Sequence, residues 1–169
     1  MSAADLVAVL RAFAVVPIAW AIAADQRLIA LGLFVLAALS DALDGWVARR
    51  SGTVGPRGAL VDPLADKILV LGTLGALTAV GTGWPVAVVT ALTALREGVV
   101  AVFRVRAFAR GVALPAERIA KLKTTAQMIG VCLIIVGERP WPVAGATLVG
   151  LALLLGLFVL PRYFTTRPR

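Results

Sequence analysis

Apolar residues gather in six runs separated by short polar breaks: Leu6–Ala24, Leu28–Val47, Leu60–Val80, Trp84–Phe103, Lys121–Gly137 and Val143–Leu160. A hydrocarbon layer of ~30 Å takes about 20 mostly apolar residues in a helix. Each run reaches or approaches that length, the fifth being the shortest. The pattern predicts an all-α, polytopic membrane protein with six transmembrane helices in a single domain spanning residues 1–169. "GTGWP" (Gly81–Pro85) and "GERPWP" (Gly137–Pro142) read as short external loops, with Trp84 and Trp141 as interface anchors. The first run could pass for a secretory signal, because "AIAAD" offers small residues at its end. A signal needs a basic segment ahead of the apolar run. Here Asp5 precedes the run and Arg11 lies within it, so it is read as a span.

Composition agrees. Sixty per cent of residues are hydrophobic, too many for the polar residues of a small soluble domain to cover. The net charge of +8 raises nucleic acid as a partner, but its distribution argues against one. Arg49, Arg50 and Arg57 lie between runs two and three. Arg104, Arg106, Arg110, Arg118, Lys121 and Lys123 lie between or at the mouths of runs four and five, and Arg162, Arg167 and Arg169 follow run six. The alternate loops hold only Arg27 and Arg139. Basic residues in short loops mark the cytoplasmic side, so both termini are expected there, on a face that also attracts anionic lipid headgroups. Cys132 is the only cysteine, so no intrachain disulfide can form and the redox compartment cannot be read.

Four of the nine acidic residues stand where runs two and three face each other: Asp41, Asp44, Asp62 and Asp66. Asp41, Asp44, Gly45 and Ala48 are spaced i, i+3, i+4, i+7, one face of a helix. Gly58, Asp62 and Asp66 are spaced i, i+4, i+8, again one face if the helix extends that far. A short loop makes the two helices neighbours, so the four carboxylates are expected to converge near the cytoplasmic surface. Uncompensated, such a cluster is costly beside a membrane. Oxygen-only ligands suit a hard ion such as Mg²⁺ or Mn²⁺, and four carboxylates could hold two, an arrangement used in phosphoryl-type displacement. Gly45, Ala48 and Gly58 let a polar ligand or a second helix come close. Simpler readings exist: Asp62 before Pro63 as a helix cap, Arg49 and Arg50 as topology signals, Asp41 as an ion-pair partner. They explain residues singly but not the joint spacing.

The string Asp41-x-x-Asp44-Gly45-x-x-Ala48-Arg49, then eight residues, then Gly58-x-x-x-Asp62-x-x-x-Asp66, resembles the signature of the CDP-alcohol phosphatidyltransferases at all eight fixed positions. The resemblance implies a six-helix enzyme of a bacterial cytoplasmic membrane, usually a homodimer, with its active site facing the cytoplasm. It implies that Asp41, Asp44 and Asp62 hold metal and the diphosphate of a CDP-lipid, with Gly45, Ala48, Arg49 and Gly58 in the same lipid site. Asp66 would join the metal site and act as the base on the acceptor hydroxyl. Two features depart from the pattern. Gly55 stands where many relatives carry a hydroxyl residue, a position the resemblance associates with a phosphate contact and not with the core chemistry. The first run also begins at once, where relatives often have a short interfacial helix.

"DPLADK" (Asp62–Lys67), "LREG" (Leu95–Gly98) and "KLKTTAQ" (Lys121–Gln127) resemble the family's bacterial phosphatidylglycerophosphate synthases, implying CDP-diacylglycerol as donor and glycerol 3-phosphate as acceptor. Arg104, Arg110, Arg118, Lys121 and Lys123 lie beside the expected cavity, and such side chains bind phosphate by charge and hydrogen bonding. Two or three of the five are expected to touch ligand, the others setting topology. Arg96 and Glu97 sit within run four, where charges serve function or pair inside the bundle. Neighbouring helical residues point about 100° apart, so separate partners are expected, in a network lining the cavity. Within the family, the competing acceptors are phosphatidylglycerol (as in cardiolipin synthesis) and an inositol phosphate. Outside it, a divalent-cation transporter would also need membrane carboxylates, but near mid-membrane on broken helices.

Overall fold

The computed structural model describes residues 3–51, 58–109 and 118–165, with side chains over 8–40, 64–103, 105–106 and 122–157. Among the described residues the chain is all helix: α1 (Ala3–Phe13), α2 (Val15–Ala23), α3 (Arg27–Ser51), α4 (Gly58–Ala79), α5 (Trp84–Ala109), α6 (Arg118–Val136) and α7 (Trp141–Thr165). Every apolar run lies on a helix. The first run corresponds to two helices rather than one, and Pro17 is the reason. Its ring nitrogen has no hydrogen to offer the Phe13 carbonyl, and its ring crowds that turn. The helix is interrupted at Ala14 yet resumes at once, Ile18 N donating to Ala14 O at 3.2 Å.

The turns follow from local chemistry. Gly81 (φ 76°) ends α4, with Gly81 N donating to Thr78 O and Thr82 N to Leu77 O, the paired bonds of a Schellman cap. Asp25 (φ 55°) ends α2 through the same pair, Asp25 N to Ile22 O and Gln26 N to Ala21 O. Its carboxylate accepts from Arg27 Nε at 2.8 Å.

Phe34, Ile18, Ile22, Leu69, Leu74, Leu77, Val131, Ile134 and Val149 form the core where α2, α3, α4, α6 and α7 meet. The tightest contact is α6 on α7. A methyl group added at Gly130 would lie 2.9 Å from the Gly145 carbonyl oxygen, and one at Gly145 would run into the Gly130 carbonyl. Backbones come this close only where both residues lack a Cβ.

The outer surface is apolar, with Phe13, Val16, Trp20, Leu28, Leu36, Leu95 and Leu154 all exposed. Among the described residues, Trp84–Phe103 is long and apolar enough to cross a membrane by itself. Ala8–Ala23, Arg27–Ser40, Leu122–Val136 and Trp141–Leu157 are apolar but shorter. Among the described residues the all-helical expectation therefore holds, and one of the six expected spans meets the length test over its described part.

Candidate active site

Charged side chains enter the bundle where α4, α5 and α6 meet. Asp66 on α4 accepts a hydrogen bond from Arg11 on α1, Nη1 to Oδ1 2.7 Å. The Arg11 side chain is 2 % exposed and that of Asp66 is 20 %. The pair joins residues 55 positions apart and fixes the orientation of the carboxylate.

One residue along α4, Lys67 reaches the other charged group. Its Nζ lies 3.0 Å from Glu97 Oε2 on α5. Glu97 Oε1 is shared by Lys123 Nζ, from α6, and by Arg96 Nη1 at 2.7 Å. Arg96 also donates from Nη2 to the Gly156 carbonyl on α7 at 2.8 Å. Gly156 has no side chain to obstruct it: an added Cβ would lie 2.9–3.1 Å from three guanidinium atoms. A single buried carboxylate thus ties together cations from three helices, and one of these reaches a fourth helix. The expectation of separate partners for Arg96 and Glu97 holds in part: Arg96 has Gly156 and Glu97 has the two lysines, but the two residues also bond each other. Their Cα–Cβ vectors diverge, but the long arginine side chain folds back to its neighbour.

Lys67 and Glu97 also line a groove of about 420 Å³ between α4 and α5, otherwise walled by apolar residues such as Leu64, Ile68, Ala94 and Ala101. Thr93, one turn before Glu97, and Gln127, one turn after Lys123, are buried. Thr93 Oγ1 and Gln127 Nε2 have no hydrogen-bond partner among the described residues.

The matching family model is that of the CDP-alcohol phosphatidyltransferases, over residues 1–159. The chain belongs to this family. A probable phosphatidylglycerophosphate synthase of Mycobacterium tuberculosis is 36% identical over 132 residues, covering 76% of this chain and 61% of that protein. A CDP-diacylglycerol–glycerol-3-phosphate 3-phosphatidyltransferase of Cereibacter sphaeroides is 37% identical over 110 residues, covering 64% of this chain and 49% of that protein. One of the same name from Salmonella typhimurium is 30% identical over 152 residues, covering 88% of this chain and 81% of that protein. The chain thus spans about half to three fifths of the length of the first two relatives.

The family's signature lies on two helices. α3 runs unbroken through Asp41, Asp44, Gly45, Ala48 and Arg49, and α4 through Gly58, Asp62 and Asp66. The side chains of all these except Asp66 lie outside the described residues. Because α4 begins at Gly58, Asp62 stands inside the helix rather than at its cap, which removes the capping reading. Among the described side chains no group of three metal ligands occurs, and three of the four aspartates are not among them. As a donor set, four carboxylates suit a hard divalent ion.

Of the residues expected at the acceptor phosphate, Lys123 is buried on Glu97. Arg104 is on α5, and Arg118 and Lys121 are on α6, with side chains outside the described residues. Arg110 and Gly55 lie wholly outside them. Sequence reasoning assigned no role to Arg11 or Lys67. Each was visible as a cation within an apolar run, and such a charge signals an internal partner.

Proposed function

We propose that the protein is a membrane-embedded, divalent-metal-dependent enzyme that transfers the phosphatidyl group of CDP-diacylglycerol to glycerol 3-phosphate, releasing CMP. The observation carrying this reading is Asp66, last aspartate of the family signature, held on Arg11 one residue from the lysine cluster around Glu97. The names of the relatives support the same donor and acceptor. The apolar outer surface and the positive charge of alternate loops support six spans with both termini in the cytoplasm. In this reading the site faces the cytoplasm of a bacterium, and the enzyme works as a homodimer.

The acyl chains of the donor stay in lipid while its CDP head rests between α3 and α4. Asp41, Asp44, Asp62 and Asp66 would hold two Mg²⁺ or Mn²⁺ ions, which when bound supply positive charge to the diphosphate. Gly45, Ala48 and Gly58 leave room for the head, with Arg49 beside it. Asp66 takes the proton of the acceptor's primary hydroxyl, the role of a general base within hydrogen-bond reach. The hydroxyl oxygen attacks the phosphorus that carries the diacylglycerol, and the bond from that phosphorus to CMP breaks. Two or three of the five cations Arg104, Arg110, Arg118, Lys121 and Lys123 contact ligand, Lys121 and Lys123 among them, and draw the acceptor's phosphate.

The test is CMP release by the purified full chain from CDP-diacylglycerol with a panel of acceptors, with Mg²⁺ or Mn²⁺ and with chelator. Glycerol 3-phosphate is expected to be the best acceptor, free glycerol to be very poor, and chelator to abolish turnover. Faster reaction with phosphatidylglycerol would reassign the protein to cardiolipin synthesis. Full turnover in chelator would remove the metal from the mechanism. For topology, thiol labelling of single-cysteine variants lacking Cys132 should find Thr53 accessible from the cytoplasm and Thr82 from outside.

A further inference from the structure

We infer that Glu97 is a positioning residue for the acceptor's phosphate, clamping Lys123 and Lys67 at one wall of the substrate cavity. The inference rests on glycerol 3-phosphate being the acceptor and adds a residue that touches no reacting atom.

The geometry is that of a clamp. The two oxygens of Glu97 face different lysines, Oε2 toward Lys67 on α4 and Oε1 toward Lys123 on α6. A lysine is a point charge on a flexible four-carbon stem. Fixing it costs side-chain entropy, and the carboxylate holds both stems in place before substrate arrives. Without an anion between them, two ammoniums so close in a poorly polar interior would repel. Arg96 anchors the clamp in turn, bonding Glu97 on one side and the Gly156 carbonyl on the other.

Charge counting points the same way. Arg96 and Lys123 share a single oxygen of Glu97, so among the described side chains this pair of cations exceeds the one carboxylate it shares. Buried surplus charge is costly unless an anion answers it. A phosphate monoester carries about −1.5 to −2 at neutral pH, which suits this surplus. Gln127, one turn along α6 from Lys123, has a buried Nε2 with no partner among the described residues, a further donor beside the cluster. The groove that Lys67 and Glu97 line gives the cluster an open side.

The experiment measures separate KM values for glycerol 3-phosphate and CDP-diacylglycerol in the full-length protein, as wild type, Glu97→Gln, Glu97→Asp, Lys123→Gln, Lys67→Gln and the Glu97→Gln/Lys123→Gln double variant. Losing a charged hydrogen-bond partner corresponds to roughly tenfold or more in affinity. Glu97→Gln is expected to raise the acceptor KM about tenfold, with the donor KM within about twofold and Glu97→Asp recovering part of the loss. The double variant should fall short of the product of the two single effects, because Glu97 acts in part through that lysine and in part through Lys67; independent roles would multiply. Equal rises in both KM values, a fall in kcat alone, or multiplying effects would overturn the inference and leave Glu97 as a packing residue. Should Glu97 variants not be recoverable, Lys67→Gln decides from the other end of the clamp: an unchanged acceptor KM refutes it. A wild type that ignores glycerol 3-phosphate would instead refute the acceptor assignment itself, before any variant is compared.

Discussion

Helix α7 meets its neighbours through glycine at two places, and the two glycines do opposite work. At Gly145 the absent side chain brings the backbone of α6 into contact through Gly130. Three turns later, at Gly156, the absent side chain makes room for the guanidinium of Arg96. One end of the bundle is specified by shape, with apolar helices fitted backbone to backbone. The other is specified by charge: Asp66, Lys67, Arg96, Glu97 and Lys123 sit among apolar helices and are tied to one another or to Arg11. Lipid chains are as apolar as leucine, so packing and internal polar contacts are what hold membrane helices together. Substitutions at the shaped end should therefore change stability alone, and those at the charged end should also change turnover.

The largest effect is expected at the charged end. Arg11→Met strips Asp66 of the buried guanidinium that holds it, and breaking a buried pair from one side costs about 3–5 kcal/mol. Asp66 is partly exposed, which places the expectation near the lower figure. Denaturation of the purified protein in detergent measures the loss, and CMP release should fall with it because the proposed base loses its orientation. A destabilisation below about 1 kcal/mol with normal turnover would show that the charged end does not depend on this pair.

Gly145→Ala comes next. The new methyl would meet the Gly130 carbonyl, the Ile134 side chain at 2.7 Å and the Ile134 nitrogen at 3.0 Å. Backbone cannot swing aside as a side-chain end can, so α6 and α7 must separate, at about 1–3 kcal/mol. Turnover per folded molecule should be unchanged. A fall in turnover at unchanged stability would break the division between the two ends.

These two residues also show what the sequence could reveal. The helices were legible because apolar runs of membrane length have few other uses, and the break at Ala14 follows from Pro17. The family was legible because eight fixed positions were met together. The pairing of Arg11 with Asp66 was not, since nothing in either neighbourhood says which of several cations lies beside α4. Arg96 and Glu97 misled in part, and in a more instructive way. Reasoning from Cβ directions separated them, whereas four rotatable bonds let the guanidinium return to the adjacent carboxylate. Gly145 and Gly156 look alike in sequence, and only the packed neighbours distinguish them.

Gly156→Ala sharpens that contrast. Its methyl would lie 2.9 Å from Arg96 Nη2, but the obstacle is the far end of a flexible side chain. The guanidinium can shift, at a cost near that of one off-rotamer side chain, about 0.5–1.5 kcal/mol. The expected stability loss is thus smaller than at Gly145, although the same atom is added to the same helix. The accompanying change should appear in the acceptor KM, because Arg96 anchors Glu97. A loss exceeding that of Gly145→Ala would mean that Arg96 is as rigid as backbone.

The smallest effect is expected from a polar contact at the shaped end. Thr78 on α4 and Thr90 on α5 lie with their hydroxyls 3.1 Å apart. Each is also within hydrogen-bond reach of a carbonyl in its own helix, Thr78 at 2.9 Å from Leu74 O and Thr90 at 2.7 Å from Val86 O. A hydroxyl has one proton. If Thr90 donates to Val86 and Thr78 to Leu74, the contact between them has no donor left. If Thr78 turns to Thr90, it gives up the shorter bond inside its own helix. Interhelical hydrogen bonds of membrane proteins average about 0.6 kcal/mol in double-mutant cycles. Competition for the proton should place this one at or below that value. The measurement is a cycle of Thr78→Val, Thr90→Val and the double variant in detergent denaturation. A coupling above about 1.5 kcal/mol, near the largest measured in such cycles, would show that the proton is committed between the helices, so that the apolar end too is held by a directed polar bond.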